Sequence, residues 1–184
     1  MSKDEIIKKI ETAAQEFSNF CSGIDNESFF REPLKKWSIA QNVSHLVTSA
    51  KATKLAYTLP RFLIRLYAGK PNRLSRSYDE LVNKYKLKLQ QGGKASKQFI
   101  PEKISDKIGK DKCLDDFISS MSKLTSSIDK KWNDNQLDQY IAPHPLLGKV
   151  TQRELAYFTA YHIEHHLAII KKRLSDYHDY SNHK

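Results

Sequence analysis

Apolar residues recur at spacings of three and four along most of this chain, which is the pattern of amphipathic helices. The first run follows Ser2 and Glu5, which are spaced as a capping box, in which each side chain bonds a backbone N–H at the helix start. It predicts a helix over about residues 3–20, followed by a long connection over 21–37 that is rich in turn-forming residues. The apolar positions of the helix are Ile6, Ile7, Ile10, Ala13, Ala14 and Phe17.

Two more runs with the same spacing predict long helices. Ser38 and Gln41 form a second capping box, and the apolar run behind them stops at Pro60, which predicts a helix over about 39–58. A third run predicts a helix over about 111–132. Its apolar stripe is Cys113, Leu114, Phe117, Ile118, Met121, Leu124, Ile128 and Trp132.

The segment between Pro60 and Pro101 has a weaker periodicity and is interpreted as an insertion between core helices. Its apolar and charged positions predict short helices near 61–68 and 77–91, and the second of these stops at the glycine pair that begins with Gly92.

The last long helix is predicted from Thr151 and Glu154, a third capping box, to about Leu174. Two prolines and a glycine in residues 142–149 predict a loop before it. Four long helices without a strand pattern predict an all-α four-helix bundle with a short helical insertion after the second core helix.

The length of the chain favours a single domain, and its charge pattern favours solvated helix surfaces. A chain of 184 residues and 21.3 kDa suits one compact core, which we expect over residues 1–175, with residues 176–184 as a C-terminal tail. The net charge of +10 is spread along the chain, so we expect solvated helix faces rather than a nucleic-acid-reading element.

The cysteines and the apolar segments favour a cytoplasmic protein. Cys21 and Cys113 lie far apart in sequence, which argues against a disulfide framework or a thiolate zinc site. The first residues are charged where a secretory signal would be apolar, and no run approaches the about 18 apolar residues of a membrane span. We therefore expect no membrane partner.

Three of the seven histidines lie close together in the last helix. At 100° per residue, His162 and His166 are about 40° apart around the axis, and both fall inside the apolar arc centred near Leu155. His165 falls at the margin of that arc, beside Phe158. The pair predicted to face the interior is therefore His162 and His166.

Two imidazoles one helical turn apart can hold one metal ion, but two ligands seldom complete a site. Without partners, each buried imidazole would cost about 1–3 kcal/mol. His45 in the second helix is a candidate third ligand, although a hydrogen-bonded helix residue is the alternative; small residues share its stripe. His144 lies between two prolines and is expected to fix its loop or face a cleft.

Two segments carry a resemblance to a known family. Residues 37–46, WSIAQNVSHL, resemble the W-S-x-x-Q-x-x-x-H-L helix start of the DinB/YfiT-like superfamily. Residues 144–151, HPLLGKVT, and 161–167, YHIEHHL, resemble its H-P-x-x-G-x-[LV]-[TS] loop and its closing H-x-x-H-H helix.

The resemblance implies an up-down-down-up bundle that holds a divalent metal, usually nickel or zinc, by three histidines, which are His45, His162 and His166 in this chain. Similar proteins include thiol transferases that use low-molecular-weight thiols and an isomerase acting on maleylpyruvate, and they often form homodimers. A metal-dependent enzyme of transferase or hydrolase type, acting on a small molecule, is therefore expected. A bundle that binds a small ligand without turnover, with or without metal, is the alternative, because no carboxylate can be placed beside the ligands.

Overall fold

A computed structural model describes residues 1–33 and 36–181, and it is helical along most of this length. The helices are α1 (Lys3–Ser22), α2 (Asn26–Phe30), α3 (Ile39–Thr58), α4 (Arg61–Ala68), α5 (Tyr78–Gln90), α6 (Lys110–Lys131), α7 (Asp134–Gln139) and α8 (Gln152–Ser181). Short 3₁₀ turns cover Lys97–Phe99 and Asp106–Ile108, and two strands, β1 (Ile141–His144) and β2 (Gly148–Thr151), form a hairpin before α8. In the described part of the chain, no helix is both long and apolar enough to cross a membrane.

The predicted capping boxes begin three of the four long helices. Ser2 and Glu5 exchange hydrogen bonds at the start of α1, and Ser38 and Gln41 do so at the start of α3. At the start of α8, the Glu154 carboxylate accepts from the Thr151 backbone N–H at 3.0 Å, and the Thr151 hydroxyl accepts from the Glu154 N–H at 3.2 Å. These bonds satisfy backbone donors that the helix itself leaves unpaired.

Contacts at the helix ends show that α1 and α6 are antiparallel. Lys3 Nζ, at the start of α1, lies 2.9 Å from Asp129 Oδ1 near the end of α6. Lys110 Nζ, at the start of α6, donates to the Ser22 backbone carbonyl at the end of α1, at 2.7 Å.

Helix α3 runs antiparallel to α8 and parallel to α6. The Tyr57 hydroxyl, near the end of α3, donates to the Gln152 carbonyl at the start of α8 at 2.6 Å. At the other end of this pair, Arg173 donates to the Trp37 carbonyl at 3.1 Å. Trp132 Nε1, just after α6, donates to the Tyr57 carbonyl at 2.9 Å, so α3 and α6 end together.

Helices α1 and α8 run parallel, which completes the topology. Arg153 donates to the Met1 carbonyl at 2.8 Å, and Lys171 Nζ lies 5.1 Å from the centre of the Phe20 ring. The four long helices therefore follow the up-down-down-up order that the resemblance implied. Their predicted apolar stripes meet in one core, in which Phe17 and Phe117 are fully buried and their ring centres lie 5.0 Å apart.

The insertion contains the two predicted helices, α4 and α5, and α5 packs on α8. The loop between α4 and α5 is held to the start of α8 by Glu154, whose buried carboxylate accepts from Arg73 at 2.6 and 2.7 Å and from Arg76 at 3.2 Å. Burial disfavours the ionised form of Glu154 and by itself would raise its pKa. The hydrogen bonds from Arg73 and from neighbouring backbone N–H groups outweigh this effect, so the pKa of Glu154 is lowered.

The prediction that residues 142–149 form a loop without strands was wrong. Residues 141–144 and 148–151 pair as an antiparallel hairpin, with Ile141 opposite Thr151 and His144 opposite Gly148. Each strand has only four residues, and Pro143 interrupts the first, so too few positions alternate to give a strand pattern.

Other differences lie at helix boundaries and in short elements. Helices α2 and α7 were not predicted, because five and six residues are too few to show a helical period. Cys21 is buried within α1, which runs two residues past its predicted end. Helix α8 continues to Ser181 rather than ending near Leu174, so part of the predicted tail is helical. Residues 182–184 of that tail lie outside the described residues.

Candidate metal centre

The three histidines singled out in the sequence come together between α3 and α8. His45, His162 and His166 are each about 5–6% exposed. The Nε2 atom of His162 lies 3.1 Å from Nε2 of His45 and 3.1 Å from Nε2 of His166. Two nitrogens that are each about 2.1 Å from one ion would be about 3.0–3.4 Å apart, so both of these separations fit ligands of a single metal ion. All three ligand atoms lie within 4.8 Å of one another.

The outer nitrogens of two of these rings bond to neutral oxygens. His45 Nδ1 lies 2.7 Å from the Phe99 backbone carbonyl, and His166 Nδ1 lies 2.7 Å from Asn42 Oδ1. Because a carbonyl oxygen can only accept, Nδ1 must carry the proton in both rings. Their Nε2 lone pairs are therefore directed toward His162, which is the tautomer that binds a metal through Nε2.

The residues next to these contacts hold the rings in place. Asn42 Nδ2 donates to the Ser38 carbonyl at 2.7 Å, which fixes the amide with its oxygen toward His166. The Trp37 ring is parallel to the His166 ring, with centres 6.4 Å apart, and its centre is 5.1 Å from that of His45. Trp37 and Asn42 lie on either side of the Ser38–Gln41 capping box that begins α3.

Burial keeps the imidazoles neutral. It lowers the pKa of His162 and His166 well below the usual value for histidine. Burial also lowers the pKa of His45, although the hydrogen bond to the Phe99 carbonyl opposes it. The Nε2 lone pairs of the neutral His45 and His166 rings both face His162 Nε2, so a proton on that nitrogen or a cation must lie between the rings. The donor set therefore suits a divalent ion.

One wall of a cavity of about 380 Å³ is formed by this three-histidine group. Ser49, Ala52 and Ala56, the small residues on the His45 stripe of α3, also line the cavity, so their size does leave space beside the group. Most other lining residues are apolar. Among the described residues that line it there is no aspartate, glutamate or arginine, and Lys94 is the one lysine.

His144 and His165 line the cavity but do not join the group. His144 lies at the hairpin turn, where its Nδ1 accepts from the backbone N–H groups of Leu146 and Leu147 at 3.2 and 3.1 Å. The expected role in fixing this segment is thus observed, and burial lowers the pKa of His144 to about 4. His165 is half-buried, with its ring centre 5.5 Å from that of His166.

Sequence reasoning missed the hydrogen-bond partners of the ligand candidates. Asn42 could have been found, because it lies three residues before His45 and therefore on the same helix face. Phe99 could not, since it acts through its backbone carbonyl and lies in a segment without a clear period. No carboxylate had been placed beside the ligands, and the two partners observed, an amide and a carbonyl, are neutral.

Comparison with family models gives a match over most of the chain. A family model described as the DinB superfamily matches residues 9–170. The match includes all four long helices, in whole or in part, and all three histidines of the group. No curated protein matches the chain.

Proposed function

We propose, since the chain belongs to the DinB superfamily, that it is a metal-dependent enzyme of thiol transferase or hydrolase type. His45, His162 and His166 would hold one divalent ion, nickel or zinc, at the wall of the cavity. The observation that carries the proposal is the convergence of three Nε2 atoms in a buried, neutral setting, with His162 Nε2 3.1 Å from each of the other two and all three within 4.8 Å of one another.

Each residue of the site has a distinct part in this proposal. Three imidazole ligands leave coordination positions open toward the cavity, where a bound divalent ion would polarise a substrate group or lower the pKa of a water or thiol. Asn42 and the Phe99 carbonyl hold two of the rings in the metal-binding tautomer. The apolar walls exclude water around a small substrate, for which we propose a molecule that reacts with a low-molecular-weight thiol.

A second function is favoured by one observation. The cavity lining in the described residues has no carboxylate that could act as a general acid or base beside the open positions. A bundle that binds a small ligand without converting it, with or without metal, is therefore the alternative.

Metal analysis of protein purified without a histidine tag tests the site. We expect about one equivalent of nickel or zinc, and loss of that metal in His45→Ala, His162→Ala and His166→Ala. His165→Ala is the matched control, because it removes a cavity-lining histidine outside the group and should retain the metal. Metal below a tenth of an equivalent that does not respond to these substitutions would contradict the proposal.

Turnover separates the enzyme from the binding protein. The zinc-loaded or nickel-loaded protein is incubated with a thiol and an electrophilic acceptor, and the conjugate is quantified by mass spectrometry. Activity that disappears with chelator and returns with the metal supports the enzyme. Metal uptake without turnover across a panel of thiols and acceptors favours the alternative.

The location, the oligomeric state and the lack of a nucleic-acid partner are also proposals. A cytoplasmic location is inferred from the cysteine pattern. A homodimer is expected from the family, and Phe62 and Leu66, which are 70% and 81% exposed on α4, would provide apolar surface for it. Light scattering coupled to size exclusion tests the dimer, and absence of DNA or RNA binding at about 50 mM salt tests the expectation of no nucleic-acid partner.

A further inference from the structure

The size of the cavity limits its ligand. At about 30 Å³ for each non-hydrogen atom, as in liquid water, about 380 Å³ holds roughly a dozen such atoms. This is larger than a water or a simple inorganic anion, and a longer ligand would extend beyond the cavity.

The apolar lining continues from the cavity to the protein surface. Leu55, Leu59 and Tyr67 line the cavity and are 56%, 39% and 82% exposed. Leu55 and Leu59 are one helical turn apart, so they lie on the same side of the chain at the end of α3. A ligand with an apolar chain could therefore cover surface that now faces water, which is favourable in proportion to the area covered.

The charges around the cavity favour an anion at its inner wall. The described lining residues include Lys94 but no acidic residue, and two of the three imidazoles of the group bond to neutral oxygens, one of an amide and one of a backbone carbonyl. A divalent ion bound there would keep its full charge, because no carboxylate compensates it. An anionic group is then favoured at the open positions, and a cationic ligand is disfavoured.

We propose that the cavity binds an anionic amphiphile. Its small anionic head, such as a carboxylate, lies at the three-histidine group, and an apolar chain of roughly six to ten carbons follows the wall toward Leu55, Leu59 and Tyr67. The inference rests on the proposed metal site and assigns a ligand class to it.

Calorimetric titration of the zinc-loaded protein with butyrate, hexanoate and octanoate tests the ligand class. Each buried methylene contributes about 0.8 kcal/mol, so affinity is expected to rise about fourfold per methylene until the cavity is full. Octylammonium has the same chain with the opposite charge, and it is expected to bind at least tenfold more weakly than octanoate. Removing zinc should weaken octanoate binding.

A pair of leucines provides a matched test of where the apolar chain of the ligand lies. Leu55 and Leu87 are both 56% exposed and both lie on helices, but only Leu55 of the two lines the cavity. Leu55→Gln is expected to weaken octanoate binding at least threefold with zinc uptake unchanged, whereas Leu87→Gln leaves both unchanged.

The outcomes distinguish this inference from the proposed function. If the protein takes up neither zinc nor nickel, the proposed function fails, and the ligand assignment that depends on it fails too. If zinc binds but octanoate binds no more tightly than butyrate or octylammonium, only the ligand assignment fails. Equal octanoate affinity with and without zinc would overturn the position given to the anionic head.

Discussion

His166 Nδ1 donates to Asn42 Oδ1 across the interface between α8 and α3, at 2.7 Å. The same amide donates to the Ser38 carbonyl at 2.7 Å, so its orientation is fixed by the chain that begins α3. The Asn42 side chain thus connects the start of α3 to His166. It fixes the tautomer of that ring and, through it, the direction of the Nε2 lone pair. Asn42 is 1% exposed, so water cannot readily replace it.

We predict that Asn42→Leu lowers the affinity for zinc about tenfold to a hundredfold, the usual effect of losing a hydrogen bond that orients a metal ligand. Competition against a chromophoric chelator measures the affinity. Asn42→Asp keeps the oxygen that accepts from His166, so it should bind zinc at least as tightly as Asn42→Leu. Unchanged affinity in folded Asn42→Leu would show that the bond does not orient His166.

We predict that Glu154→Gln destabilises the fold by about 2–3 kcal/mol. Loss of one partner from a buried ion pair costs about 3–5 kcal/mol, and the effect is smaller here because Arg73 and Arg76 are 32% and 24% exposed. Urea denaturation measures the free energy of unfolding. Asp116→Asn, which removes an exposed i,i+4 pair with Lys112, is the control and should leave that free energy unchanged.

Stability of the metal-free protein should fall as the pH drops below 6.5, in part because of His144. Its folded pKa of about 4 lies below the usual 6.5, so the unfolded state binds more protons between these values and gains stability as pH falls. Urea denaturation in chelator between pH 7 and 5 measures the slope. His144→Asn keeps an oxygen for the turn and should reduce the slope by up to about 1.4 kcal/mol per pH unit. An identical slope in the variant would contradict the buried neutral state.

We predict that Gly93→Ala destabilises the protein by about 1–3 kcal/mol, as overpacking does. A Cβ atom at Gly93 would lie 2.6 Å from the Lys88 backbone carbonyl and 3.2 Å from Leu146, so the chain between α5 and Phe99 must move. At Gly23 the nearest contact of a Cβ would be 3.6 Å, and φ is −73°, so Gly23→Ala is the matched control. Thermal or urea unfolding compares the two variants. Equal stability would mean that the segment moves without cost.

Three of the four long helices could be predicted because two independent sequence patterns agreed in each. In α1, α3 and α8 a capping box marks the start, and apolar spacing marks the buried face. The β-hairpin and the one-turn helices lack such length, so their structure depends on what they pack against. Pro143 by itself argues against a strand, yet it pairs with Lys149 in the hairpin. The hairpin is too short to produce a periodic pattern in the sequence.

The histidine group could be predicted in part for the same reason. Helical geometry alone directed His162 and His166 inward and His165 to the margin, and the structure agrees. The contact between His45 and His162 spans 117 residues, and the resemblance, not the periodicity, paired them. The carbonyl of Phe99 depends on the path of an irregular segment and could not be inferred. That the group holds a metal stays a prediction.

The separation of His45 from His162 and His166 along the chain has a consequence for biosynthesis. Two of the three ligands lie in α8, which leaves the ribosome after α3, so a nascent chain cannot assemble the centre while α8 is missing. An ion shared by α3 and α8 would therefore bind the finished fold and not its precursors. It would link an early helix to a later one, and because it binds only the folded state it would raise the fraction of the protein that is folded.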